Sequence, residues 1–158
     1  MHADLRILAE NLDDGEPIWF LNALTIIKLS AEQTGGRFAL LEDRLPAGRE
    51  SPYHLHHNED ETFYLLDGEF TFYSGSDKFT GSAGTTVFLP RGIPHGFRAD
   101  TAGRMLILTT PAGFDSFVRD AGEPATSLVL PEPKEPDFAK LTALAAKYKI
   151  DILGPLPE

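Results

Sequence analysis

The octapeptide His54-Leu55-His56-His57-Asn58-Glu59-Asp60-Glu61 concentrates imidazoles and carboxylates, the side chains that bind metal ions and move protons. Successive side chains of a strand point to opposite faces, so residues two apart share one. His54 and His56 therefore project together and His57 projects the other way. Two imidazoles on one face suit a divalent Zn, Fe, Ni or Cu ion. Asn58, Glu59 and Asp60 read as a polar turn, which makes Glu61 the opening residue of the next strand, beside the histidines. A fourth candidate, His95, follows the turn-forming stretch 90–94, "PRGIP", at the head of another strand. Each residue alone has an ordinary alternative role. A strand histidine commonly lies on the surface or in a hydrogen-bonded core, and Asn58 to Glu61 alone would make a solvated turn.

The elements that must position these residues are short strands. Apolar, partly β-branched runs at 23–30, 37–45, 62–66, 69–73, 77–81, 85–90, 95–99 and 104–110 alternate with turns carrying Gly68, Gly75, Gly84, Gly92 and Gly103. Many closely spaced strands with glycine punctuation predict an all-β sandwich or barrel. Helical periodicity appears near the C-terminal end. Residues 113–122 place Phe114, Phe117 and Val118 at i, i+3 and i+4 before Gly122. Residues 137–149 repeat apolar positions behind Asp137, a predicted N-cap. Between them, the proline-rich stretch from Gly122 to Asp137 predicts a loop or extended arm. A chain of 158 residues accommodates one such domain over 1–158. Its expected barrel core is about 25–110, with an N-terminal extension at 1–24 and a helical tail at 113–158.

Composition removes several function classes. Fourteen Lys and Arg against 24 Asp and Glu leave a net charge of −10, which repels nucleic-acid backbones. No basic run favours an anionic membrane. There are no cysteines, which excludes disulfides, thiolate catalysis and thiolate-ligated metals. The first sixteen residues carry Asp4, Arg6 and Glu10 without an apolar stretch, so no signal peptide is expected there. No apolar run approaches the ~20 residues of a membrane span. The expectation is a cytoplasmic protein with no nucleic-acid or membrane partner.

The spacing of the candidate ligands resembles that of the cupin family. Gly48, five residues, His54-x-His56, four residues, Glu61, six residues and Gly68 follow the first cupin motif. Gly84, five residues, Pro90-x-Gly92, two residues and His95 follow the second. The motif's closing Asn is replaced by Ala99; that position is not a metal ligand. Fifteen residues separate the motifs, as in small bacterial cupins. The resemblance implies a cupin jelly-roll barrel (a double-stranded β-helix) with a short helical C-terminal extension. It also implies that His54, His56, Glu61 and His95 converge on one divalent transition metal per chain: Fe, Ni, Mn, Co, Cu or Zn.

Inward phasing of Glu61 carries Phe63 and Leu65 inward, and Phe70, Phe72, Phe88 and Phe97 can be phased with them. No Arg or Lys falls on that phase near the metal, although Arg98 and Arg104 are close in sequence. A small apolar or aromatic substrate is therefore expected rather than a sugar phosphate. The chain further resembles monocupins related to quercetin dioxygenases. That likeness implies a metal-dependent dioxygenase acting on a hydroxylated, flavonol-like aromatic, with Glu61 as both ligand and catalytic base. The alternatives are a metal-dependent isomerase, lyase or decarboxylase, and a non-catalytic small-molecule-binding cupin. Tyr64 and Leu66 make the 62–66 strand apolar on both faces, so something must cover it. The N-terminal segment, the C-terminal helix or a second subunit could do so, and a homodimer is expected.

Overall fold

A computed structural model describes residues 5–158; residues 1–4, including Asp4, lie outside the described residues. The chain runs β1 (Glu16–Phe20), β2 (Ala23–Leu29), α1 (Ala31–Thr34), β3 (Ala39–Leu45), β4 (Tyr53–His56), β5 (Asp60–Asp67), β6 (Phe70–Ser74) and β7 (Asp77–Gly81). It continues through β8 (Thr86–Leu89), β9 (Gly96–Ala99), β10 (Gly103–Thr110), α2 (Phe114–Ala121), β11 (Glu123–Pro124), α3 (Phe138–Lys147) and β12 (Ile150–Gly154). One antiparallel sheet has the order β11-β1-β2-β3-β10-β5-β8. Opposite it, the pair β12-β4 and the triplet β7-β6-β9 are stitched together by bridges between His54 and His95 and between Glu50 and Arg98. The result is the cupin jelly roll.

Alternation along β5 packs the two sheets together. Phe63 and Leu65 are buried and Tyr64 is exposed. Phe63 meets Phe97 and Phe72 of the facing sheet at centroid distances of 5.6 and 6.1 Å. Each fully buried aromatic contributes about 1.5–3 kcal/mol by leaving water, so this cluster is a principal bond between the layers. Phe70, Phe72 and Phe97 face inward as the sequence predicts. Phe88 does not: it is 61% exposed. Thr62 is its cross-strand partner, and Glu61 pairs with Leu89, so Val87 and Leu89 take the inward positions of β8.

Three strands lie outside the expected barrel core. Strand β1 pairs with β2, and β11 adds the edge beyond it. The tail is not helical throughout, because β12 pairs with β4 and sets Ile150 opposite His56 and Ile152 opposite His54. The alternation of "IDIL" is that of a half-buried strand; Ile150 faces in and Asp151 out. Helices α2 and α3 form where their periodicity predicts, and the Asp137 side chain caps α3 by accepting from Lys140 N. The proline-rich arm crosses the surface between them. It is fastened by Trp19 Nε1 donating to Val129 O and by paired hydrogen bonds between Asn22 and the Lys134 backbone and carbonyl. No helix among the described residues is long and apolar enough to cross a membrane.

Candidate metal centre

His54 and His56 come from β4, Glu61 from the second position of β5, and His95 from the residue before β9. The backbones of His54 and His95 exchange N–H to O hydrogen bonds of 2.9 and 2.8 Å, which sets their side chains next to each other. Gly92 helps to aim His95. Its φ of 79° is a left-handed conformation that side chains disfavour, and its N–H donates to His56 O at 2.7 Å. The turn before His95 is thereby tied to the strand that carries the other two histidines.

Four ligand atoms, one from each residue, lie within 4.8 Å of one another. His95 Nε2 is 2.7 Å, His56 Nε2 3.3 Å and His54 Nε2 4.0 Å from Glu61 Oε2. Each Nδ1 is held from outside: His54 by Pro52 O at 2.7 Å, His95 by Ile93 O at 3.1 Å and His56 by Glu59 Oε2 at 3.1 Å. Protons on Nδ1 leave the Nε2 lone pairs aimed at the centre, the arrangement that ligating histidines use. His56 Nε2 is buried without a hydrogen-bond partner among the described residues, its contact with Glu61 being out of line. The other such atom is Thr109 Oγ1, on the residue paired with Glu61. Orphaned buried polar atoms are costly, and an ion at the centre gives His56 its missing partner. The residues fit a divalent metal, held by three imidazoles and a carboxylate with coordination positions to spare.

Electrostatics in the metal-free protein divide the histidines. Burial, reinforced by His95 and His56, pushes His54 down to about 3. Burial acts to lower His56 too, but the carboxylates of Glu61 and Glu59 outweigh it and raise it to about 10. Against its own burial, Glu61 is held well below the usual carboxylate range, by His56 and then His95. The site thus stores a proton on His56 that an incoming cation must displace.

His57 lies outside the cluster, as strand phasing predicts, and its Nε2 meets Asp151 Oδ2 at 2.8 Å in a half-exposed pair. The turn is not uniformly wet. Asp60 does pair with Arg91 at the surface, but Glu59 is 3% exposed and turns back onto His56. The signal was the His-x-x-Glu spacing, which a tight turn folds into contact. Gly113 makes room for it, because a Cβ there would stand 2.7 Å from Glu59 Oε1. Removing the carboxylate with Glu59→Ala strips His56 of its support. Metal affinity should then fall roughly 10–100-fold in competition with a chromophoric chelator, whereas Asp60→Asn should leave it unchanged.

The second residue missed by sequence reasoning is Arg49. It is 8% exposed and lines, with His54, Glu61 and Asp43, a cavity of about 50 Å³ at the centre. The expectation that no cationic side chain reaches the pocket is therefore corrected. Counting back in twos from His54 puts Arg49 on the outer face. Pro52 interrupts the strand, however, and Ser51 and Arg49 turn inward. The remaining cavity wall is apolar and aromatic, with Phe20, Phe63, Phe97, Phe114 and Ile107. His54 and Glu61 face this space; His56 and His95 sit behind them.

Residues 41–111 match the sequence profile of the cupin domain. Quercetin 2,3-dioxygenase of Bacillus subtilis is 25% identical over 148 residues, covering 91% of this chain and 44% of that protein. The chain spans less than half the length of the curated relatives it matches, 44% and 49%. Among solved structures, ectoine synthase from P. lautus superposes with a TM-score of 0.63 at 19% identity, covering 84% of this chain and 98% of that one. A predicted oxalate decarboxylase from Thermotoga maritima gives 0.59 at 18% identity, covering 67% and 99%. At these identities the structural likenesses establish the fold alone.

Proposed function

The chain is a small member of the cupin superfamily, and on that premise we propose that it is a metal-dependent dioxygenase of hydroxylated aromatic molecules. The observation that carries this reading is the placement of Glu61: a buried, ionised carboxylate that belongs to the metal cluster and also faces the aromatic-walled cavity. A bound transition ion supplies Lewis-acid stabilisation of a deprotonated hydroxyl and the one-electron chemistry that O2 requires. The residues of the chain do the rest. Phe63, Phe97 and Phe114 exclude water and receive an apolar ring edge. His54 and Glu61 present their polar atoms to the entering head group, and Glu61 accepts the hydroxyl proton. A carboxylate held so far below its usual range is a weak base, so Glu61 would need a hydroxyl that a bound cation had made more acidic. The 25% identical quercetin dioxygenase supports the reaction class. The deciding experiment is O2 uptake by the metal-loaded protein with a panel of flavonols and catechols, against anaerobic controls. Uptake with consumption of a hydroxylated aromatic is the expected result, and none with any of them rejects the dioxygenase.

A second reading, a metal-dependent lyase, isomerase or decarboxylase, is favoured by one observation, the buried cation Arg49 beside the metal cluster. It predicts turnover without O2.

A homodimer is the expected assembly. Tyr64 is 45% exposed and Phe88 is 61% exposed on one outward face of β5 and β8; neither the Trp19 segment nor the C-terminal helix covers them. A second copy of this sheet is the occupant that fits, by self-complementary burial of aromatics. Light scattering should give twice the chain mass of 17.3 kDa, and Phe88→Glu should return it to that single mass. A monomeric wild type refutes the dimer.

A further inference from the structure

Outside the metal cluster lies a second, larger space. A groove of about 990 Å³ runs between the proline-rich arm at Leu130–Pro136 and the C-terminal residues Ile152–Leu156. Leu21, Arg49, Ser51, Pro52 and Ile152 line both this groove and the cavity of about 50 Å³ at the metal centre. The inner space is too small for a fused-ring aromatic, since useful ligand pockets hold ~300 Å³ or more. It admits a head group of a few atoms, and the groove has the volume for the body behind it.

Arg49 stands at the junction. Its Nε donates to Leu21 O at 3.0 Å and its guanidinium lies 5.4 Å from the centroid of the Phe97 ring. Among the described residues no carboxylate forms an ion pair with it. Asp43, the acid sharing its cavity, acts on Arg49 through its charge but makes no direct ion pair with it, and its carboxylate accepts from the Thr25 hydroxyl at 2.6 Å. A buried guanidinium whose terminal amines lack a carboxylate partner carries a desolvation cost that an anionic ligand would offset. Its planar fork matches a carboxylate in two parallel hydrogen bonds.

We propose that Arg49 is the specificity-determining residue of this site: it anchors the carboxylate of an aromatic hydroxy-acid at the junction. The neighbouring hydroxyl then faces Glu61 and the apolar body extends into the groove. The inference rests on the reading of the His54/His56/Glu61/His95 cluster as a metal centre. It holds for oxidative and non-oxidative chemistry alike, because it concerns which molecule is held and not what is done to it.

The test is calorimetric titration of metal-loaded protein with salicylate and with its uncharged analogue salicylamide, for wild type, Arg49→Gln and Arg49→Lys. Metal content and melting temperature are recorded for each. Wild type should bind salicylate at least ~10-fold more tightly than salicylamide, the value of one or more charge-assisted hydrogen bonds. Arg49→Gln should abolish that preference by weakening salicylate far more than salicylamide, and Arg49→Lys should keep part of it. Should Arg49→Gln fail to fold, Arg49→Lys still tests the fork through a reduced preference. No preference in wild type, no salicylate binding at millimolar concentration, or equal weakening of both ligands in the variants overturns the proposal. Oxygen uptake does not enter this measurement, so a protein that binds salicylate through Arg49 and consumes no O2 refutes the dioxygenase and leaves the anchor standing.

Discussion

His56→Ala and His95→Ala should each remove most of the divalent metal from the purified protein, whereas His57→Ala should retain about one ion per chain. All three residues lie in or beside the same pair of strands, but only two reach the centre. His56 Nε2 and His95 Nε2 stand 3.3 and 2.7 Å from Glu61 Oε2, inside the four-residue cluster. Removing either leaves three donors, and removing His56 also leaves the buried Glu59 carboxylate without its partner. His57 contributes only a half-exposed pair with Asp151, of a kind worth about 0–1 kcal/mol. The effect extends to stability, because an ion that binds only the folded chain stabilises it by mass action. At a free concentration of ~100 times Kd this amounts to about 2.7 kcal/mol. For a chain of this size a chelator should therefore lower Tm by roughly 5–10 °C in wild type and His57→Ala. It should change little in the other two variants. Elemental analysis and paired melts read both results. Wild type free of metal after chelator-free purification would remove the centre, and equal loss in His57→Ala would refute the strand phasing that selects the ligands.

The donor set was legible because strand parity and turn lengths are local. His54 and His56 share a face by period alone, and the resemblance of both motifs to the cupin pattern implies that Glu61 and His95 join them. The residues that refine the site were hidden where the local rule breaks. Pro52 interrupts the alternation, so Arg49 lies inward although counting from His54 places it outward. Glu59 sits in a turn whose composition is that of solvated chain, and only the return of the backbone against Gly113 buries it. Phe88 is misplaced for the same kind of reason. Its hydrophobicity argues for the core, but the register that pairs Leu89 with Glu61 fixes it on the outer face. Strand β12 was absorbed into a helical tail because its alternation is only a few residues long behind a helical pattern, and nothing local names its partner β4, 94 residues distant at the Ile150–His56 pair. Local pattern carried the ligands, and long-range register decided the pocket.

Glu61→Gln should lower turnover of a hydroxylated aromatic by roughly 10²–10⁴-fold at saturating metal, the range of a lost general base. The substitution keeps the size of the side chain and one oxygen donor while removing the charge and the ability to accept a substrate proton. Two losses must be separated, since Glu61 also touches all three histidines and its charge is the main influence raising His56. Without that charge the affinity for a divalent cation falls, and low occupancy alone would depress activity. Adding metal until the bound fraction is complete, checked by elemental analysis on the same samples, isolates the proton-transfer contribution. A base that also serves as ligand gives a variant that regains its ion and stays inactive. A carboxylate that serves only as ligand gives a variant whose turnover returns with occupancy, and that result removes Glu61 from the catalytic role. The measurement is loss of a flavonol under air with anaerobic controls, in wild type and Glu61→Gln at equal metal content. The placement of Glu61 makes the distinction sharp. Of the four cluster residues it shares the cavity wall only with His54, a side chain whose low pKa, about 3, leaves its Nε2 lone pair to the ion. No other carboxylate on that wall except Asp43 could take a proton, and Asp43 is bonded to Thr25 and pushed toward its neutral form by burial. Glu61 is the carboxylate on that wall that belongs to the ligand cluster, so a proton leaving a substrate at the centre meets it first.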